Sequence, residues 1–157
     1  MWEDPKLLNF SRSDELRRFR RVTHYWDDDL YAPEMAGEMK KLFDAGVLVN
    51  AGGHGQMLGL DMHWEMELFV QGGFTPLDAI QVATINSATY HGLGDNLGSI
   101  EVGKLADLVI MSANPLDDIR NTREIVYVMK NGVLYSGDDA ARVYPDPTPA
   151  GRMYFMR

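Results

Sequence analysis

Gly73-Phe74-Thr75-Pro76-Leu77-Asp78-Ala79-Ile80, running on through Ala83-Thr84-Ile85-Asn86-Ser87-Ala88, reads as a helix whose start is written into the sequence. Thr75 suits the N-cap, Pro76 the first helical position and Asp78 the N3 position, where an acid meets the free amides of the first turn. Leu77, Ile80, Val82 and Ile85 supply bulk. Ala79, Ala83, Ser87 and Ala88 are small enough for close packing. The spacing predicts a helix to about His91, ended by Gly92 and Gly94. Upstream, Val47-Leu48-Val49 is a short apolar run with β-branched residues and reads as a buried strand. Gly52, Gly53, Gly55 and Gly59 follow it closely and allow sharp turns or close approach to a ligand.

The same reading extends outward. Pro33 opens a helix over 33–45 with Met35, Met39, Leu42 and Phe43 on one stripe, and Gly46 caps it. A second helix over about 60–71 carries Met62, Met66, Phe69 and Val70 and stops at Gly72-Gly73. Beyond position 100 the period changes. Leu105 to Met111 and Ile125 to Met129 are strand-like, and Asn131-Gly132 is a type I′ hairpin signal returning into Val133-Leu134-Tyr135. The tail holds Pro145, Pro147 and Pro149 and is expected to be extended and weakly ordered. The first 31 residues read as irregular and polar, with an Arg17, Arg18, Arg20, Arg21 cluster before Asp27-Asp28-Asp29. Their aromatic residues suggest that the segment packs on something.

Composition narrows the function classes. The chain has 157 residues, 45% hydrophobic and 24% charged, with a formal net charge of −8. The acidic balance argues against nucleic acid, which needs a basic face. The absence of cysteine excludes disulfides, thiolate metal sites and thiol catalysis. No apolar run reaches the roughly 18–20 residues of a membrane helix, and Met1-Trp2-Glu3-Asp4-Pro5 has no signal-peptide pattern, so neither membrane nor export is expected and the compartment stays open. At 157 residues the chain is too short for a complete (β/α)8 barrel, which takes about 250.

Four histidines could carry chemistry: His24, His54, His63 and His91. His54 lies just past the expected strand, in the glycine-rich turn, where α/β folds bind ligands. It is either a metal ligand or base, or a loop histidine hydrogen-bonded to backbone. His63 and Glu67 are at i, i+4 and can meet on a helix face. A metalloprotease helix would need a second histidine there, so a surface His–carboxylate pair is the alternative. Asp61 reads as a charge at a helix start and His91 as one at a helix end. Nothing is assigned to His24. The glycine-rich loop lacks the Lys-Ser/Thr ending of a phosphate loop, and no nucleophile elbow occurs.

The blocks 73–80 and 83–88, then Leu97-Gly98-Ser99-Ile100-Glu101-Val102-Gly103-Lys104-Leu105-Ala106-Asp107-Leu108-Val109-Ile110, then Asn114-Pro115-Leu116-Asp117-Asp118-Ile119 and Val128-Met129-Lys130-Asn131-Gly132, resemble the C-terminal part of the metal-dependent amidohydrolase superfamily. Gly53-His54-Gly55-Gln56 with His63-Trp64-Glu65 resembles the branch that follows a TolB-like β-propeller. The resemblance covers 47–135 well and 1–46 loosely.

That resemblance implies an α/β fold: the C-terminal portion of a (β/α)8 barrel, incomplete in this chain, plus part of a composite β-sandwich. It implies an irregular segment over 1–32, the last βα units over 33–96 with Val47–Val49 as the eighth strand, a sandwich share over 97–137 and an extended tail over 138–157. It implies hydrolysis of an amide, cyclic amide or peptide-like C–N bond through water activated by a divalent metal, with zinc expected. His54 stands where the family usually has a metal-binding aspartate, which makes it the metal ligand or catalytic base. Gln56, His63 and Glu65 are expected to bind substrate at the mouth of the site or to support it. One ligand cannot hold a catalytic metal, which needs about three, and no His-x-His occurs here. The chain alone is therefore expected to hold less than stoichiometric metal. Its expected partner is the missing upstream barrel segment or another copy of itself. The alternative is a non-catalytic, self-associating remnant.

Overall fold

The computed structural model describes residues 5–19, 31–53 and 59–151. They fall into two compact units, one of Trp26–Leu105 with Ala113–Glu124, the other of Met1–Tyr25, Ala106–Ser112 and Ile125–Arg157.

The first unit is helical. Helix α3 spans Ala32–Asp44, α4 Asp61–Gln71 and α5 Pro76–Gln81; α1, Pro5–Phe10, and α2, Ser13–Phe19, belong to the other unit. The chain of α5 widens into a π-helical turn over Val82–Asn86 and resumes as α6, Ser87–Tyr90. The predicted cap of α5 is present in full. Thr75 Oγ1 accepts the Asp78 amide at 3.1 Å, and Asp78 Oδ2 accepts the Thr75 amide at 3.1 Å. The continuous helix expected to His91 is thus interrupted. Hydroxyl groups that bond back to carbonyls compete with the helix ladder. Thr84 donates to Ile80 O at 2.6 Å and Ser87 to Val82 O at 2.9 Å. A 3₁₀ turn, Ile119–Arg123, completes the unit and is started by Asp118, whose side chain accepts the Arg120 amide.

The core of this unit joins Val49, Ala51, Met66, Phe69, Phe74, Ala79, Val82 and Ile119. Phe74 packs tilted against Phe69 and Phe43, with centroids 5.0 and 5.2 Å apart. The expected α4 stripe is the one found, with Met66 and Phe69 buried and Met62 and Val70 packed beside them. Of the expected α3 stripe only Phe43 packs on this core. Met35 is 62% exposed, and Met39 and Leu42 are also exposed, while Ala36 is buried. The cause is close approach: a Cβ on Gly72 would lie 2.5 Å from the Ala36 backbone and Cβ. Helix α3 therefore meets the end of α4 through its smallest residues.

Val47-Leu48-Val49 forms no strand among the described residues. Val47 and Leu48 are exposed and Val49 is buried. A parallel-type strand needs neighbours delivered by crossovers, and the described chain lays none alongside it.

The second unit is a four-stranded antiparallel meander, β1 Leu108–Met111, β2 Ile125–Lys130, β3 Val133–Ser136 and β4 Arg142–Tyr144, in sequential order. The Asn131-Gly132 turn sits where predicted, both residues at positive φ, between paired Lys130 and Val133. Two short helices, α1 Pro5–Phe10 and α2 Ser13–Phe19, occupy the N-terminal stretch expected to be irregular. Their Leu7 and Leu16 are buried, whereas Phe10 and Tyr31, two of the aromatic residues expected to pack, are exposed. The tail also differs from expectation. It contributes β4 and a closing pair of backbone bonds between Arg142 and Thr148. No helix among the described residues is long and apolar enough to cross a membrane.

Candidate functional site

The candidate site lies where the chain leaves the helical core after Ala51. With no adjacent strand, residues 49–53 have their backbone groups met by other parts of the same unit. Asn86 Nδ2, carried inward by the π turn and buried, donates to Val49 O at 2.9 Å. The Ala51 amide donates to Val82 O at 3.4 Å, and Ser87 Oγ lies 3.5 Å from Ala51 O. Glu65, one turn into α4, accepts two successive amides on Oε2, Gly52 at 2.9 Å and Gly53 at 2.5 Å. The π turn and α4 thus fix the path of the chain up to Gly53. His54 and Gln56 lie outside the described residues.

His63 stands on α4, two residues before Glu65. The Thr122 hydroxyl donates its single proton to Ile119 O at 2.8 Å, so it accepts from His63 Nδ1–H at 2.9 Å. The imidazole lone pair is therefore on Nε2. Burial, and then the Arg123 guanidinium, lower the His63 pKa below its ordinary value and favour the neutral ring. Glu67, which spacing offered as a partner for His63, instead pairs with Arg123 of the 3₁₀ turn. Arg123 Nε is buried and has no hydrogen-bond partner among the described residues. The pair of residues offered by i, i+4 spacing is thus divided between two long-range contacts. Asp61 opens α4 as expected. His91 is exposed just after α6, edge-on to Tyr90 with centroids 5.2 Å apart. His24 lies outside the described residues.

Sequence reasoning missed Asn86 and Thr122, both buried polar residues. The available signal was their position: Asn86 lies in an otherwise apolar helix face, and Thr122 lies directly before Arg123. Among the described residues no group of three or more His, Asp or Glu side chains could hold a metal ion. The donor set on the described residues does not fit a catalytic metal, which needs about three protein ligands, and no chemical step is derived through one.

The recognisable motif over 97–110 fastens the chain. Lys104 donates to Gly94 O at 2.6 Å and Ser99 Oγ at 2.5 Å and pairs with Glu101 at 3.2 Å. In the sheet unit, Asp107 accepts from Lys130 and from the Asn131 amide at 2.6 Å, and these bonds, Lys130 first, hold its carboxyl below the usual range.

Comparison with known proteins bears on this arrangement. The chain is 33% identical over 118 residues to an imidazolonepropionase of Geobacillus sp. (strain WCH70), covering 65% of this chain and 26% of that protein. It is 37% identical over 93 residues to an adenine deaminase of Clostridium botulinum (strain Loch Maree / Type A3), covering 56% of this chain and 15% of the deaminase. Among solved structures it resembles a Xaa-Pro dipeptidase with bound methionine in its active site, at 34% identity and a TM-score of 0.60, over 66% of this chain and 26% of that one. The chain therefore spans about a quarter or less of the length of these relatives. The amidohydrolase family profile matches residues 12–135, most of the sequence. The chain belongs to the amidohydrolase family.

Proposed function

We propose that this chain supplies the final part of a hydrolase that breaks a C–N bond, in an amide, cyclic amide or peptide-like substrate, and that it works with further polypeptide that completes a (β/α)8 barrel. On this reading residues 47–49 are the eighth barrel strand and the sheet unit is a share of the accompanying sandwich. The observation that carries it is the path over 49–53. Its backbone is anchored by Asn86, Val82, Ser87 and Glu65, so that the chain enters the glycine-rich turn at Gly53 from a fixed position. The named reactions of the relatives, deamination of adenine and cleavage of an Xaa-Pro dipeptide, favour the same class of bond.

His54, the residue after Gly53, is the group placed at the reacting centre. As a neutral imidazole it takes a proton from the water that attacks the carbonyl or imine carbon, and returns a proton to the leaving nitrogen. It is equally suited to ligate the family's divalent metal, zinc by expectation, whose remaining ligands would come from outside the described residues. Gln56 is placed against the substrate, and His63 and Glu65 at the mouth of the site as its supports. The Gly53-His54-Gly55-Gln56 and His63-Trp64-Glu65 blocks favour the branch that accompanies TolB-like propellers.

The test is reconstitution. The chain, supplied with an upstream family segment bearing His-x-His and with zinc, is assayed on N-acyl amino acids, dipeptides and cyclic amides. Turnover that needs both pieces and is lost in His54→Ala is the expected result. Turnover unchanged in His54→Ala would remove the proposal.

A second reading is favoured by one observation. Met35, Met39, Leu42, Val47 and Leu48 are all exposed in the helical unit, an apolar surface that a second copy could cover without any chemistry. A monodisperse oligomer in light scattering, inactive on every substrate in the reconstituted mixture, would support that reading over the first.

A further inference from the structure

Glu65 was expected to meet substrate or to support the site, and its geometry separates the two roles. Both described contacts of its carboxylate are to backbone: Oε2 accepts the Gly52 amide at 2.9 Å and the Gly53 amide at 2.5 Å. Successive amides that converge on one point, with a change of backbone hand between them, form a small anion-binding concavity. Gly53 supplies the change of hand, at φ +43. Here an internal carboxylate, thirteen residues downstream in sequence, occupies that concavity.

The same helix holds Gly53 a second way. A Cβ at Gly53 would lie 3.3 Å from Met62 Cε and 3.6 Å from the Met62 amide nitrogen. The glycine therefore rests on the first turn of α4 while its amide reaches Glu65 one turn further along. Bonds from amides to an ionised carboxylate are about twice as strong as neutral ones. A glutamine in place of Glu65 would keep an oxygen acceptor but lose the charge. An alanine would leave two adjacent amides without their acceptor.

We propose that Glu65 is a positioning residue: by gripping the Gly52 and Gly53 amides it sets the backbone from which residue 54 departs, and it does not itself contact substrate. The inference rests on the reading that His54 acts at the reacting centre. It explains why a carboxylate, rather than a second strand, terminates the segment that leads into the turn.

Two measurements test it. The first uses the isolated chain and needs no activity. In Glu65→Ala the Gly52 and Gly53 amides are expected to exchange with solvent about tenfold faster or more, with the far-UV spectrum unchanged, and added formate should restore their protection by refilling the concavity. Glu65→Gln should fall between the two. Unchanged exchange at both amides in Glu65→Ala would overturn the proposal. The second uses the reconstituted enzyme. Misplacing a reacting group by about 1 Å can cost about 100-fold in rate, so Glu65→Ala is expected to lower kcat by up to that factor with KM nearly unchanged and with partial rescue by formate. A loss confined to KM would mean that Glu65 binds substrate and would overturn the positioning role. The two levels of failure are distinguishable. If His54→Ala abolishes turnover while Glu65→Ala leaves kcat intact, the positioning role alone is lost. If His54→Ala leaves turnover intact, the reading beneath it fails as well.

Discussion

Asn86 offers the sharpest test of how the helical unit holds the segment that leads to the candidate site. The residue is 7% exposed, donates through Nδ2 to Val49 O at 2.9 Å and accepts from Gln81 Nε2 at 3.3 Å. Asn86→Leu keeps most of the volume and removes the donor. A buried polar group that loses its partner costs about 1–3 kcal/mol, so a loss near the middle of that range is expected. With a urea m-value of about 2 kcal/mol/M, typical of small proteins, the midpoint should fall by about 1 M. Asn86→Asp should be worse near neutral pH, because it turns a carboxylate toward a carbonyl oxygen. Its sign with pH is diagnostic. Burial raises that carboxyl's folded pKa above the unfolded value of about 3.9. The aspartate variant should then be closest to the parent at low pH and lose stability as the pH rises through the raised value, because a protonated carboxyl can again donate to Val49 O. Urea titrations followed by far-UV circular dichroism decide the matter. An Asn86→Leu variant as stable as the parent would refute the claim that this amide anchors Val49.

Three further outcomes are expected. Burial and Arg123 lower the folded pKa of His63, so the unfolded chain, titrating near 6.5, takes up the proton first; this residue's contribution is full above about pH 6.5 and is lost as the pH falls through its folded value. His63→Gln should flatten that part of the urea midpoint against pH, and identical slopes in parent and variant would contradict the assignment. Gly72→Ala should destabilise by about 1–3 kcal/mol through overpacking, because its Cβ would sit 2.5 Å from Ala36 although its φ of −78° suits alanine. Gly73→Ala, with open space but φ +99, should lose about 1–2 kcal/mol through backbone strain alone, so that Ala36→Gly partly rescues only the former in a double-mutant cycle. Finally, Asp107→Ala should speed exchange of the Asn131 amide, which that carboxylate accepts at 2.6 Å; proton-exchange NMR showing no change there would remove Asp107 as the fastener of the hairpin turn.

What could be read in the sequence was what local chemistry writes. The start of α5 needed only Thr75, Pro76 and Asp78, and the hairpin only Asn131-Gly132, since each depends on neighbours in sequence. The α3 stripe shows where local reading stops. Periodicity reveals that a helix has an apolar face but not what meets it, and here Ala36 turns inward against Gly72 while Met35 stays exposed. The π turn was hidden because its cause is the competition of Thr84 and Ser87 hydroxyls for carbonyls, invisible to a hydrophobic period. At the candidate site, i, i+4 spacing suggested His63 with Glu67, but Thr122 and Arg123, more than fifty residues away, took one each. The grip of Glu65 on Gly52 and Gly53 has the same character. Its acid and its glycines each stand out in the sequence, but only the fold brings them together.

The part of the chain that is easiest to recognise uses its polar groups to hold its own fold. Lys104 gathers Gly94, Ser99 and Glu101 into one turn, and Asp107 ties Lys130 to Asn131. Side chains whose donors and acceptors are consumed in this way have little left for a substrate. That is consistent with relatives as differently named as an adenine deaminase, an imidazolonepropionase and a Xaa-Pro dipeptidase all resembling one chain. On the proposed function, substrate choice would fall to the turn that begins at Gly53. The parts of the described structure that bear on choice are therefore those that aim that turn. They are Asn86 and Ser87 from the π-distorted helix and Glu65 from α4, whose bonds to the backbone of 49–53 fix the path of the chain into it.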